Sequence, residues 1–146
     1  MTILQSTLAK GQKQAPQAFG TGINVSYLAD FTIPAGMTVA TTDIIELGVL
    51  PAGHRVIDAR VIPTGDFGAS VTADVGIMSG DVGSTGTRTS GAEIFDDVAL
   101  TAMVGLAKAD SILLADADQH RSIGVKFSAS ITGAGQVIRL QLTYAQ

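Results

Sequence analysis

From Ser122 to Tyr144 apolar and polar residues alternate almost without a break, and few folds tolerate that pattern. Ile123, Val125, Phe127, Ala129 and Ile131 alternate with Gly124, Lys126, Ser128 and Ser130. Ile138, Leu140, Leu142 and Tyr144 alternate with Arg139, Gln141 and Thr143. Successive side chains of a strand point to opposite faces, so each run has one apolar and one polar face. Between the runs, Thr132, Gly133, Ala134 and Gly135 are residues that a tight turn takes, which predicts a hairpin. One face then meets a core and the other water, as in an antiparallel sheet.

The same period recurs upstream. Val25, Tyr27, Ala29, Phe31 and Ile33 share a face up to Pro34-Ala35-Gly36. A strand over 43–50 sets Ile45, Leu47 and Val49 against Ile44, Glu46 and Gly48, and Pro51-Ala52-Gly53 turns the chain. In the strand over 55–63, Ile57, Ala59 and Val61 oppose Val56, Asp58, Arg60 and Ile62, with apolar residues on both faces. Val71, Ala73, Val75 and Ile77 form another clean alternation, and Ser111 to Ala115 reads as a short strand. Ser79 to Gly91 reads as a long exposed loop, of a length that is often functional. Glu93 to Leu106 is ambiguous, a short helix or an irregular crossover. About seven short strands between Gly and Pro turns predict an all-β chain, an antiparallel β-sandwich of jelly-roll-like form. No fixed-period repeat points to a propeller or solenoid.

Residues 1–24 show no sustained period, and the sandwich is expected over 25–146. Gln5, Gln12, Gln14 and Gln17 lie among Ala, Gly, Ser and Pro16. This segment reads either as a frayed terminus or as an extended arm that orders against a neighbouring subunit. Leu4, Leu8 and Phe19 are its candidate anchors. Lys10 and Lys13 are the only charged residues before Asp30, so the arm is cationic and the body acidic within a net charge of −4. A mildly acidic body argues against a nucleic-acid surface, which needs clustered Lys and Arg. Hydrophobic residues make up 46% and charged residues 15% of the 146, too apolar for a disordered chain and low enough in charge to suggest a partly covered surface. No apolar run approaches the ~20 residues that cross a bilayer. No basic segment leads into an apolar one as in a secretory signal, so synthesis in a cytoplasm is expected.

Motifs for chemistry are sparse. Gly20-Thr21-Gly22 begins like a dinucleotide fingerprint, but it lacks the third glycine and precedes a strand. There are no cysteines, and hence no thiolate ligand or nucleophile. His54 and His120 each lack a partner at ligand spacing and are expected to be solvated turn residues. Asp116, Asp118 and His120 alternate as a metal loop would, without the bend glycine and bidentate glutamate of a calcium hand. Asp96-Asp97 is a second acidic pair, yet no Trp and only two Tyr are present to stack a sugar. The expectation is a non-enzyme without cofactor or metal.

One resemblance adds to this reading. The run from Asp43 to Ile62, with Leu50-Pro51-Ala52-Gly53 followed by Val56-Ile57-Asp58-Ala59, resembles small virion proteins of tailed bacteriophages. Thr72 to Asp81, Ile123 to Phe127 and Gly135 to Tyr144 fit the same pattern, so the resemblance covers about 41–144 and leaves out the arm. It implies a head decoration (cement) protein, a jelly-roll-like sandwich on the capsid exterior, made in the host cytoplasm. The implied partner is the major capsid protein, bridged by a homo-oligomer with a trimer favoured, and no nucleic acid or membrane is involved. Leu4, Leu8, Lys10, Lys13 and Phe19 are then the candidate capsid or subunit contacts. The alternative is a tail or fibre component that recognises the host surface, which the absence of aromatics from Ser79 to Gly91 disfavours.

Overall fold

The alternating segments become strands in the structure, a computed structural model that describes residues 1–12, 23–105, 114 and 117–146. In chain order these are β1 (Ile3–Gln5), β2 (Asn24–Thr32), β3 (Thr38–Val39), β4 (Ile44–Leu50), β5 (Arg55–Thr64) and β6 (Thr72–Ile77). They continue with β7 (Phe95–Ala99), β8 (Val104–Gly105), β9 (Arg121–Phe127), β10 (Ile131–Thr132) and β11 (Val137–Ala145). The described residues contain no helix. One sheet has the order β1-β4-β9-β6-β7 and the other β2-β11-β5-β8, with β3 and β10 as a separate pair. The chain crosses repeatedly from one sheet to the other, and every pairing is antiparallel except that of β1 with β4. This is a jelly-roll-like sandwich, as the alternation predicts.

The core lies between the sheets. Ile45, Leu47, Val75, Ile123 and Val125 from the first meet Val56, Val61, Ile138, Leu140, Leu142 and Tyr144 from the second. Burying each such side chain contributes about 1.5–3 kcal/mol.

Four local expectations are corrected. The terminal runs do not form a hairpin: β9 and β11 lie in different sheets, facing each other across the core. The turn residues instead bond to the segment after β2, where Gly36 N–H donates to Gly133 O and Gly133 N–H to Met37 O. A Cβ at Gly133 would stand 1.9 Å from Pro34 O, so this corner requires glycine. Second, β4 carries a bulge between Glu46 and Gly48, which turns Gly48 inward and Val49 outward. Third, a register shift beside Thr143 and Tyr144 gives Val56 to the core and leaves Ile57 on the outer face. Fourth, the ambiguous stretch from Glu93 holds β7 and β8 and no helix among its described residues. The strand expected from Ser111 to Ala115 lies outside the described residues apart from Leu114.

Candidate functional site

The most concentrated polar chemistry sits where alternation predicts an ordinary solvent-facing residue. Glu46 points to the outer face of its sheet, yet it is 0% exposed, because β1 and the loop from Ser79 to Gly91 lie over it. Its Oε1 accepts from Arg88 Nη1 at 2.9 Å, from Gly83 N–H at 2.9 Å and from Ser122 Oγ. Its Oε2 accepts from Gln5 Nε2 at 2.7 Å. The Arg88 guanidinium, also buried, donates further to Ser79 O at 2.6 Å, Ser84 O at 3.2 Å and Ser122 Oγ at 2.8 Å. Burial by itself raises the Glu46 carboxyl. Hydrogen bonds from Gly83, Ser122, Arg88 and Gln5 outweigh burial and hold it below the usual carboxylate range. The arrangement is a staple. It ties β1, β4, β9 and the loop together with a charge pair in which every carboxylate oxygen and guanidinium nitrogen has a partner. The loop expected to be exposed is therefore anchored at Arg88, and it also bridges back through Met78 and Ser90.

A second polar contact joins the two sheets. The Tyr27 hydroxyl donates to Val49 O at 2.8 Å and accepts from Val49 N–H at 2.9 Å, filling the gap the β4 bulge opens. A Cβ at Gly48 would stand 2.7 Å from this hydroxyl, so the close approach explains the glycine. Burial raises the Tyr27 phenol well above its ordinary value, and it pushes Tyr144 up to about 12. The rings of Tyr27 and His54 both meet Tyr144 edge-on, at 5.7 Å and 5.4 Å.

His54 is thus a buried residue, contrary to expectation: it is 3% exposed, with Nδ1 2.8 Å from Ala52 O. His120 is exposed and its Nδ1 accepts from Ala52 N–H at 3.1 Å, which braces the same turn. Asp118 is exposed, and Asp116 lies outside the described residues. Among the described residues no group of three His, Asp or Glu converges as a metal site. Asp96 and Asp97 are exposed on β7, where Asp97 N–H donates to Asp74 and its carboxylate accepts from Thr72 Oγ1. Ser122 is 0% exposed, and its hydroxyl donates to Glu46 and accepts from Arg88, inside the same buried network.

The candidate contact residues divide. Leu4 lies on β1, half-buried against the core, and Leu8 is buried in the turn that follows. Lys10 is exposed, while Lys13 and Phe19 lie outside the described residues. Sequence reasoning missed Glu46 and Arg88. The available signal was one acid inside the apolar run from Ile44 to Leu50, and one base in a loop of Gly, Ser and Thr.

No protein-family model and no curated protein matches the chain. A chain in the structure described as "Capsid of Ralstonia phage GP4" matches it at 34% identity with a TM-score of 0.84, over 99% of this chain and 97% of that one. The chain belongs to a family of phage capsid proteins. Two further phage structures share its fold. One is the "Acidic stable capsid structure of Helicobacter pylori bacteriophage KHP30", at 13% identity and a TM-score of 0.52, covering 87% and 90% of the two chains. The other is the "Cyanophage Pam1 capsid asymmetric unit", at 17% identity and a TM-score of 0.56, covering 92% and 94%. A structural role in the virion follows for this phage capsid protein.

Proposed function

We propose that this chain is a head decoration protein that binds the outer capsid surface and bridges major capsid subunits, as a homo-oligomer with threefold assembly favoured. The observation that carries this reading is the nearly full-length likeness to a chain of a phage capsid structure. The shape supports attachment to a shell made by another protein. The two sheets close their own core, and the described residues contain no long helix or extended hairpin with which to weave a lattice. Many copies on a symmetric surface bind with avidity even where each contact is weak.

The arm is the reaching segment. Leu4 and Leu8 fasten its start to its own sandwich, and Lys10, Lys13 and Phe19 make the contact with the neighbouring subunit. Its cationic character against an acidic body gives it an electrostatic preference for an acidic capsid patch. Heads assembled without this chain are expected to lose resistance to heat and to regain it when purified protein is added; heads that gain nothing argue for a tail or fibre role. Deleting residues 1–20 is expected to abolish attachment. Because that deletion also removes β1, Lys10→Glu with Lys13→Glu is the companion variant, expected to weaken attachment while the melting curve stays unchanged. Undiminished attachment in both removes the arm from the interface.

A further inference from the structure

The two sheets present four edges, and three of them are blunted. β1 is three residues long and β8 two. β7 carries Asp96 and Asp97, the latter kinked to a φ of 52°. Short strands, charges and kinks are how sheets avoid pairing with other chains. β2 is neither short nor kinked, and its one charge is Asp30. It runs nine residues, Asn24 to Thr32, contains no Pro, Lys or Gly, and shows no register shift against β11.

The orientation of its free hydrogen-bonding groups follows from the ladder. Ile33 N–H donates to Gln136 O, and Gly135 N–H donates to Ile33 O, so Ile33 faces the β11 side. Counting back in twos, Phe31, Ala29, Tyr27 and Val25 also face β11. The N–H and C=O groups of Asn24, Ser26, Leu28, Asp30 and Thr32 therefore point outward, and among the described residues no backbone group pairs with them. All five side chains are exposed, Leu28 by 53%.

The geometry points to the free edge of β2 as a two-fold interface with β2 of a second copy, antiparallel and centred on Leu28. In this register Leu28 faces Leu28, Ser26 faces Asp30, and Asn24 faces Thr32. Every outward N–H and C=O then finds a partner, because only residues of the outward set are placed opposite one another. The charges agree with it: Asp30 meets the Ser26 hydroxyl, whereas a register centred on Asp30 would set two carboxylates opposite each other. An open depression lined by Ser26, Tyr27, Leu28, Ile62 and Gln141 lies on the same outer face, inboard of the edge over β11 and β5. The contact is isologous and closes after two copies, so threefold assembly would use another surface. It does not depend on attachment to a capsid.

The chain has no cysteine, which makes single-cysteine cross-linking unambiguous. Opposite residues of a hydrogen-bonded pair lie about 5.5 Å apart at Cα, within the range a disulfide spans. Leu28→Cys is expected to give a covalent dimer on oxidation. Ser26→Cys and Asp30→Cys alone are not, since the mates would lie about 13 Å apart along the strand; together in one chain they are. Leu28→Lys, which sets two ammonium groups opposite each other, is expected to halve the mass per particle in light scattering, and Leu28→Ala to leave the fold intact with weakened association. Cross-linking no stronger at position 28 than at 26, or a mass unaffected by Leu28→Lys, overturns the proposal. So does protection of β2 amides that arises only on adding capsids, which would identify a strand of another capsid chain as the occupant.

Discussion

β4 and β2 have similar lengths and opposite fates. Every residue of β4 is buried, including a glutamate, while β2 is exposed at every second position along its length. The difference comes from what the rest of the chain lays over them. β1 and the Arg88 loop cover the outer face and edge of β4, and the Glu46 charge pair locks them there. β2 is paired with β11 on one side, sends Tyr27 inward to the bulge, and among the described residues has no strand paired to its other edge. One region is finished within the chain, and the other is left open for association.

The sharpest way to break this contrast is to unlock the finished region. Arg88→Ala leaves Glu46 buried without its counter-ion, and removing one partner of a buried pair costs about 3–5 kcal/mol. Urea denaturation is expected to show a loss of that size for Arg88→Ala, with β1 and loop amides exchanging first. The effect depends on pH with a definite sign. The folded Glu46 carboxyl titrates below the unfolded one, so its contribution is full above the unfolded value of about 4.3 and is lost as the pH falls through the lower folded value. The stability gap between wild type and Glu46→Gln is therefore expected to be constant from pH 8 to about 5 and to narrow in more acidic solution, within the carboxylate range. A gap that widens on acidification contradicts the assignment.

A smaller effect is expected where the two regions are joined. Tyr27→Phe deprives Val49 N–H and C=O of their partner, at about 1–3 kcal/mol, measurable as a lower denaturation midpoint with an unchanged slope. The smallest stability effect belongs to the open region. Leu28→Lys is expected to shift the stability of the folded monomer by no more than about 0.5 kcal/mol while abolishing pairing. Loss of stability at Leu28 equal to that at Tyr27 would erase the distinction between the two regions.

The contrast also marks what the sequence made legible. β2, β9 and β11 follow their alternation residue by residue, because no bulge interrupts the inward set. β4 and β5 do not, because a bulge shifts the phase within each pairing, and the residues at fault, Gly48 and Ile57, look ordinary in a list. The mistaken hairpin has a related cause. Alternation says that β9 and β11 each have an inner face, and a glycine turn suits a change of sheet as well as a reversal within one. Burial of Glu46 depends on loop and β1 residues more than thirty positions away, a separation that local pattern does not report. The family was legible from strand-and-turn runs such as Val56-Ile57-Asp58-Ala59. Individual contact residues were not, since a contact is a property of two surfaces and only one is encoded in this chain.

Co-sedimentation of the purified protein with intact undecorated heads, with copies per head counted, bears most directly on the decoration role. Saturable binding is expected, at a stoichiometry that matches a symmetry-related set of positions on the head and is unaffected by adding host surface material. Absence of binding, or binding that never saturates, would contradict the proposal and move the chain to the tail or fibre.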